Sequence, residues 1–133
     1  MDRPDPKRKM VPEGAQQHAT AGPYSPVLIV DGSRLVVISG QVAIAADGSV
    51  IGETIAEQTL ATLENCRRQL ASAGCSFADV FKVNVYLVDL AEWAAFNEVY
   101  RSSFPEPLPV RTAVQAVLLP GFRVEIEMWA TRP

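Results

Sequence analysis

The chain has 133 residues, enough for one domain with a real core and too few for two. Hydrophobic residues make up 48% and charged residues 20%, the balance of a soluble globular protein. The net charge of -3 argues against a non-specific nucleic-acid binder, which would be basic, and no apolar run approaches the roughly 20 residues that span a bilayer.

The start, "MDRPDPKRKMVPEG", is charged and proline-rich and lacks the apolar stretch of a secretory leader, so a cytoplasmic location is expected. Residues 1–17 form an N-terminal segment, loose over 1–6, in which "KRKMV" admits a short edge strand. Residues 18–133 form the single domain. After a loop rich in small residues, "VLIV" (27–30) and "RLVVISG" (34–40) read as strands. Asp31-Gly32 between them is a hairpin signal. Asp47-Gly48 marks a second turn.

Thr54 and Glu57 make a capping box, and Ala56, Leu60, Leu63, Cys66, Leu70 and Ala73 recur at helical spacing behind them. Gly74 supplies the stop. "DVFKVNVYLV" (79–88) is a strand. Asp89 and Glu92 open a helix over 90–104, with Trp93, Phe96, Tyr100 and Phe104 on one side, and "PEPLP" ends it. Strands at 110–117 and 123–130 follow, with Pro120-Gly121 turning between them. Cys66 and Cys75 are too few for a disulfide framework and lack metal-ligand spacing, which leaves two inert thiols. His18, the only histidine, lies in a loop where solvation is the ordinary fate. Arg67-Arg68 reads as a solvated helix face.

This order predicts an α+β domain, a two-layer sheet with two helices on one face. In 34–40, Leu35 and Val37 point one way and Val36 and Ile38 the other. A strand apolar on both sides is normally covered on both sides, so a second subunit is expected on the bare face. By alternation Arg111, Ala113 and Gln115 share a face, and so do Glu125, Glu127 and Trp129. If Val124, Ile126 and Met128 pack on the helices, the Arg and Glu rows fall on the bare face. A guanidinium fork there would grip a carboxylate ligand and a carboxylate would direct water. Equally, Arg111 and Glu125 or Glu127 would form a cross-strand ion pair with no ligand.

The segments "AGPYSP" (21–26), "ISGQVAI" (38–44), "FKVNVYLVDLAEWAAFNEVYRSSF" (81–104), "PVRTAV" (109–114) and "VEIEMWA" (124–130), in this order, resemble the RidA/YjgF family of reactive-intermediate deaminases over residues 18–131. The resemblance implies a chorismate-mutase-like homotrimer with clefts between subunits. It implies that Arg111 binds the carboxylate of a small 2-imino or 2-enamino acid and that Glu125 positions the hydrolytic water. Tyr24, Ser39 and Ala113 would line the cleft, with Asn97 contributed across the interface. Ala113 stands where many members carry cysteine, which excludes a thiol nucleophile there. Gln115 stands where many have glutamate. The implied reaction is hydrolytic deamination to a 2-oxo acid and ammonia, as in 2-iminobutanoate/2-iminopropanoate deaminases, with an aminomuconate-type specialisation as a variant. No metal or organic cofactor and no membrane is implied. The alternatives are a non-catalytic 2-oxo-acid-binding regulatory trimer and an endoribonuclease or translation inhibitor, the last disfavoured by the acidic charge balance.

Overall fold

The computed structural model describes residues 8–132, so the looseness expected for 1–6 lies outside the described residues. The chain runs β1 (Lys9–Met10), β2 (Ile29–Val30), β3 (Arg34–Gln41), α1 (Ile55–Ser72), β4 (Val80–Leu87), α2 (Trp93–Arg101), β5 (Val110–Gln115) and β6 (Val124–Arg132), with short 3-10 turns at Phe77–Asp79 and Leu90–Glu92. Four strands form one sheet in the order β3-β6-β4-β5. The pairs with β6 are antiparallel, and β4 and β5 run parallel, joined by the α2 crossover. Both helices lie on one face, giving the expected α+β two-layer domain. Its core is built from Val83, Val85, Val124, Ile126 and Met128 of the sheet against Leu63, Cys66 and Leu70 of α1 and Phe96 and Tyr100 of α2. Each such buried side chain contributes on the order of 1.5–3 kcal/mol.

The Asp31-Gly32 hairpin does not form. β2 pairs with β1, and β3 pairs with β6 instead. The turn signal is local, and two longer-range pairings outcompete it: the edge strand at Lys9–Met10 takes Ile29–Val30, and β3 pairs with β6 from Arg132 to Ile126. Gly32 meets Thr131 so closely that a Cβ there would overlap its hydroxyl.

The capping box at Thr54 and Glu57 forms as expected, with Glu57 N–H donating to Thr54 Oγ1 at 3.1 Å and Thr54 N–H donating to Glu57 Oε1 at 3.1 Å. The buried stripe is rotated from the expected one. Ile55, Thr59, Thr62, Cys66 and Leu70 face the sheet, and Leu60 is 61% exposed. The two threonines carry a helix-face position that reads as polar in the sequence. The second helix is also shorter than expected. Asp89 caps the 3-10 turn by accepting from Ala91 N–H, while Glu92 pairs with Arg123 rather than capping. The helix proper ends at Arg101, and Phe104 packs from the following turn, its ring 4.8 Å from Tyr100.

The N-terminal edge strand forms. Arg8 is ion-paired with Asp79, and buried Lys9 donates to the Val80 carbonyl at 2.6 Å. On the face away from the helices Leu35 is 66% and Val37 59% exposed, with Val114 at 42% on the same face at the far edge of the sheet. The expected bare apolar face is therefore present.

Candidate functional site

Arg111 does not share a face with Glu125. In the parallel pairing Arg111 lies beside Val83, and Val83 lies beside Met128, all toward the helices. Glu125 lies beside Tyr86 on the opposite face. Sequence alternation fixes relative faces within each strand but not between strands, and the sheet aligns Arg111 with the Val/Ile/Met row. The expected cross-strand ion pair is excluded with it. The site residues therefore divide in two. Tyr24, Asn97, Arg111 and Ala113 lie on the helix side, and Ser39 and Glu125 on the bare face.

On the helix side the Arg111 guanidinium is enclosed by aromatic rings. Its Cζ lies 5.3 Å from the Tyr24 ring centroid, 5.0 Å from Trp93, 5.7 Å from Phe96 and 4.8 Å from Tyr100. Such faces stabilise a cation by about 0.5–2 kcal/mol each. All three guanidinium nitrogens are nonetheless buried without a hydrogen-bond partner. Burial pulls the Arg111 pKa below the usual arginine value, the phenols of Tyr100 and Tyr24 act the other way, and Arg101 adds a like charge. The group stays charged at neutral pH. Asn97 Oδ1 and the Tyr100 hydroxyl are buried and unpaired in the same region. Burial raises the Tyr100 pKa, so its proton stays on. Asn97, expected to serve a neighbouring subunit, stands beside Arg111 of its own chain. A Cβ added to Gly22 would lie 3.3 Å from Arg111 Nη2 and 3.4 Å from Asn97 Nδ2. Gly22, Trp93, Asn97, Glu98 and Arg101 line a cavity of about 520 Å³. Glycine thins the wall between that cavity and the guanidinium.

On the bare face, Ser39 and Gly40 form an irregularity between Ile38 and Gln41 in the β3-β6 pairing. The Glu125 side chain lies over Gly40, where a Cβ would sit 2.1 Å from its Oε2. One position along, Glu127 accepts from the Tyr86 hydroxyl at 2.5 Å and from Asn84 Nδ2 at 3.3 Å. That bond holds the Tyr86 proton in place and raises its pKa. Glu127 is thus engaged, whereas Glu125 makes no hydrogen bond among the described residues. Ser39 is exposed, and its carbonyl accepts from Gln41 Nε2 at 3.0 Å. A further hollow of about 530 Å³ over residues 115–122 carries no ionisable side chain. Trp93 and Phe96, which complete the box around Arg111, read in the sequence only as core aromatics, because helical spacing does not reveal what a ring faces.

The cysteines, His18 and the Arg67-Arg68 pair have structural surroundings. Burial pushes the Cys66 thiol up to about 12, and Cys75 is also raised, so both are inert. His18 bonds Thr20 in an exposed loop. Arg67 and Arg68 pair with Glu64. Among the described residues no helix is long and apolar enough to cross a membrane.

The chain matches the family described as Endoribonuclease L-PSP over residues 14–132. It is 40% identical over 121 residues to the protein mmf2, mitochondrial, of Schizosaccharomyces pombe, covering 88% of this chain and 94% of that protein. It is 38% identical over 120 residues to the 2-iminobutanoate/2-iminopropanoate deaminase of Capra hircus, covering 89% and 86%. Among solved structures it resembles the Rid-family protein YyfB of Yersinia pestis, with a TM-score of 0.75 at 28% identity over 94% of this chain and 99% of that one. The YjgF gene product of E. coli superposes with a TM-score of 0.69 at 30% identity, covering 78% and 85%. A profile match across almost the whole domain, and relatives well above 30% identity over most of both chains, make this chain a member of the Endoribonuclease L-PSP family, also known as YjgF/RidA.

Proposed function

We propose that this protein hydrolyses reactive 2-imino and 2-enamino acids to 2-oxo acids and ammonia, working as a homotrimer with sites between subunits. The observation that carries the reading is Arg111, a buried fork of donors with no protein acceptor, set behind Gly22, which lines a solvent cavity. A buried charge of this kind calls for an anion, and a carboxylate matches the fork bidentately. The name of the Capra hircus relative supports an imine as the rest of the ligand.

The substrate carboxylate enters over Gly22, shifts the 21–24 segment, and pairs with Arg111. Asn97 Oδ1 accepts from the imine or enamine nitrogen. Glu125 of a neighbouring subunit takes a proton from water as the oxygen bonds to the C=N carbon. Glu125 returns that proton to the nitrogen to give the carbinolamine, then takes the hydroxyl proton as the C–N bond breaks and hands it to the departing nitrogen, so that ammonia leaves and a 2-oxo acid remains. Arg111 and Glu125 sit on opposite faces of one sheet, so a second copy completes the site, and the exposed Leu35 and Val37 give that copy an apolar face to cover.

The test generates 2-iminopropanoate in situ from alanine with an amino-acid oxidase and follows its decay. Wild-type protein should accelerate decay, and Arg111→Lys should lose about 30-fold or more, since a point charge cannot make two parallel hydrogen bonds worth about 2–3 kcal/mol. Tight 2-oxo-acid binding with no acceleration would favour a regulatory binder instead. An aminomuconate-type specialisation would appear as weak turnover of simple imines beside strong turnover of the longer, unsaturated substrate.

A further inference from the structure

The cavity lined by Gly22, behind which Arg111 lies, has a guanidinium of its own on its wall, that of Arg101. On α2, Trp93, Asn97 and Arg101 follow one another at intervals of four residues and all line this cavity. Successive members of such a row are about 6 Å apart along the helix axis. Trp93 stacks on Arg111, Asn97 adjoins it through Gly22, and Arg101 stands one turn further on. The two guanidinium charges lie close enough to oppose each other. Arg101 is exposed and makes no ion pair among the described residues, although Glu98 lines the same cavity one turn back. Arg101 on the lining and Arg111 behind Gly22 put two cations, neither of them ion-paired among the described residues, on either side of one wall of this hollow, an arrangement suited to two anionic groups a short spacer apart once the Gly22 segment moves.

We propose that Arg101 is a specificity residue that binds a second carboxylate, so that the favoured substrates are 2-imino acids of the dicarboxylic class, such as 2-iminosuccinate and 2-iminoglutarate. This rests on the imine-hydrolase reading of Arg111. The α-carboxylate takes the Arg111 fork and the imine nitrogen lies at Asn97. A side chain of one or two methylenes then carries the distal carboxylate up the helix to Arg101. A monocarboxylic imine leaves Arg101 unpaired.

The experiment generates 2-iminosuccinate, 2-iminoglutarate and 2-iminopropanoate in situ with oxidases acting on aspartate, glutamate and alanine, and measures kcat/KM for wild type, Arg101→Gln, Arg101→Lys and Arg111→Lys. The wild type should prefer the dicarboxylic imines. The ratio of kcat/KM for 2-iminosuccinate over 2-iminopropanoate should fall about 5-fold in Arg101→Gln, the range of a partly exposed ion pair, and recover in part in Arg101→Lys. Arg111→Lys should lower all three rates and leave the ratio in place. Calorimetric titration with 2-oxoglutarate and 2-oxobutanoate reads the same preference without turnover. A ratio unchanged in Arg101→Gln, or equal binding of the two oxo acids, overturns the role of Arg101. Acceleration of no imine by the wild type, with 2-oxoglutarate still bound through Arg101, overturns the hydrolase reading and leaves the two-carboxylate site standing.

Discussion

Arg111 is a charge enclosed by four rings, and its energetics set its function against its stability. An uncompensated buried ion costs several kcal/mol, which cation–π contacts of about 0.5–2 kcal/mol each offset only in part. Arg111→Met should therefore unfold at a temperature no lower than the wild type while losing hydrolysis. A melting temperature several degrees lower would show that the guanidinium has a partner in the assembled protein. Gly40 poses the complementary test on the other face. A Cβ at Gly40 would meet the Glu125 carboxylate, the mobile end of a side chain, so Gly40→Ala should displace Glu125 at little cost in stability. Turnover should drop at least about 10-fold with 2-oxo-acid binding kept, as expected for loss of a proton acceptor that acts only in the reaction. Unchanged turnover would move the water-directing role elsewhere.

Among the elements, β1 carries a buried ammonium whose titration bears on stability. Lys9 is 7% exposed, and burial lowers its pKa from 10.5 to about 8, with Asp79 opposing the shift and Arg8 adding to it. Between about pH 8 and 10.5 the unfolded chain holds a proton that the folded chain has released, so the fold gains stability as pH rises through this window. Below about pH 8 both states are protonated and the folded state carries a buried ammonium. Lys9→Met removes the titration. The melting temperature of Lys9→Met minus that of the wild type should thus fall between pH 7 and pH 10. A difference constant with pH would mean that the Lys9 ammonium is solvated. The helices show how far an element follows from its own residues. The capping box at Thr54 is local chemistry and appears as written. Which face of α1 turns inward is decided by contact with β3 and β6, so Thr59 is buried and Leu60 is left in water.

For the whole molecule, the opposed faces of Arg111 and Glu125 make a strong prediction. If each site draws its arginine and its glutamate from different chains, then Arg111→Ala and Glu125→Gln, each inactive alone, should restore activity when unfolded together and refolded as mixed trimers. Random mixing leaves about a quarter of sites with both residues intact. Recovery of nothing in mixed particles, verified by native mass spectrometry, would place both residues in one chain's site or remove one of them from the reaction. The same spectra should show three chains per particle at micromolar concentration, because a face carrying Leu35, Val37 and Val114 is not stable in water.

The sequence by itself determined the main strands and helices, the capping box and the bare apolar side of β3. Those follow from periodicity and from local hydrogen bonding, which neighbouring residues set. Tertiary structure alone decided that β3 pairs with β6 rather than with β2, since a turn signal of two residues yields to a ladder of six pairs. It also decided that Arg111 faces the helices and Glu125 faces away. Alternation orders side chains within a strand, but only the register between strands says which rows coincide, and that register is fixed by burying Val83, Val85, Ile126 and Met128 together.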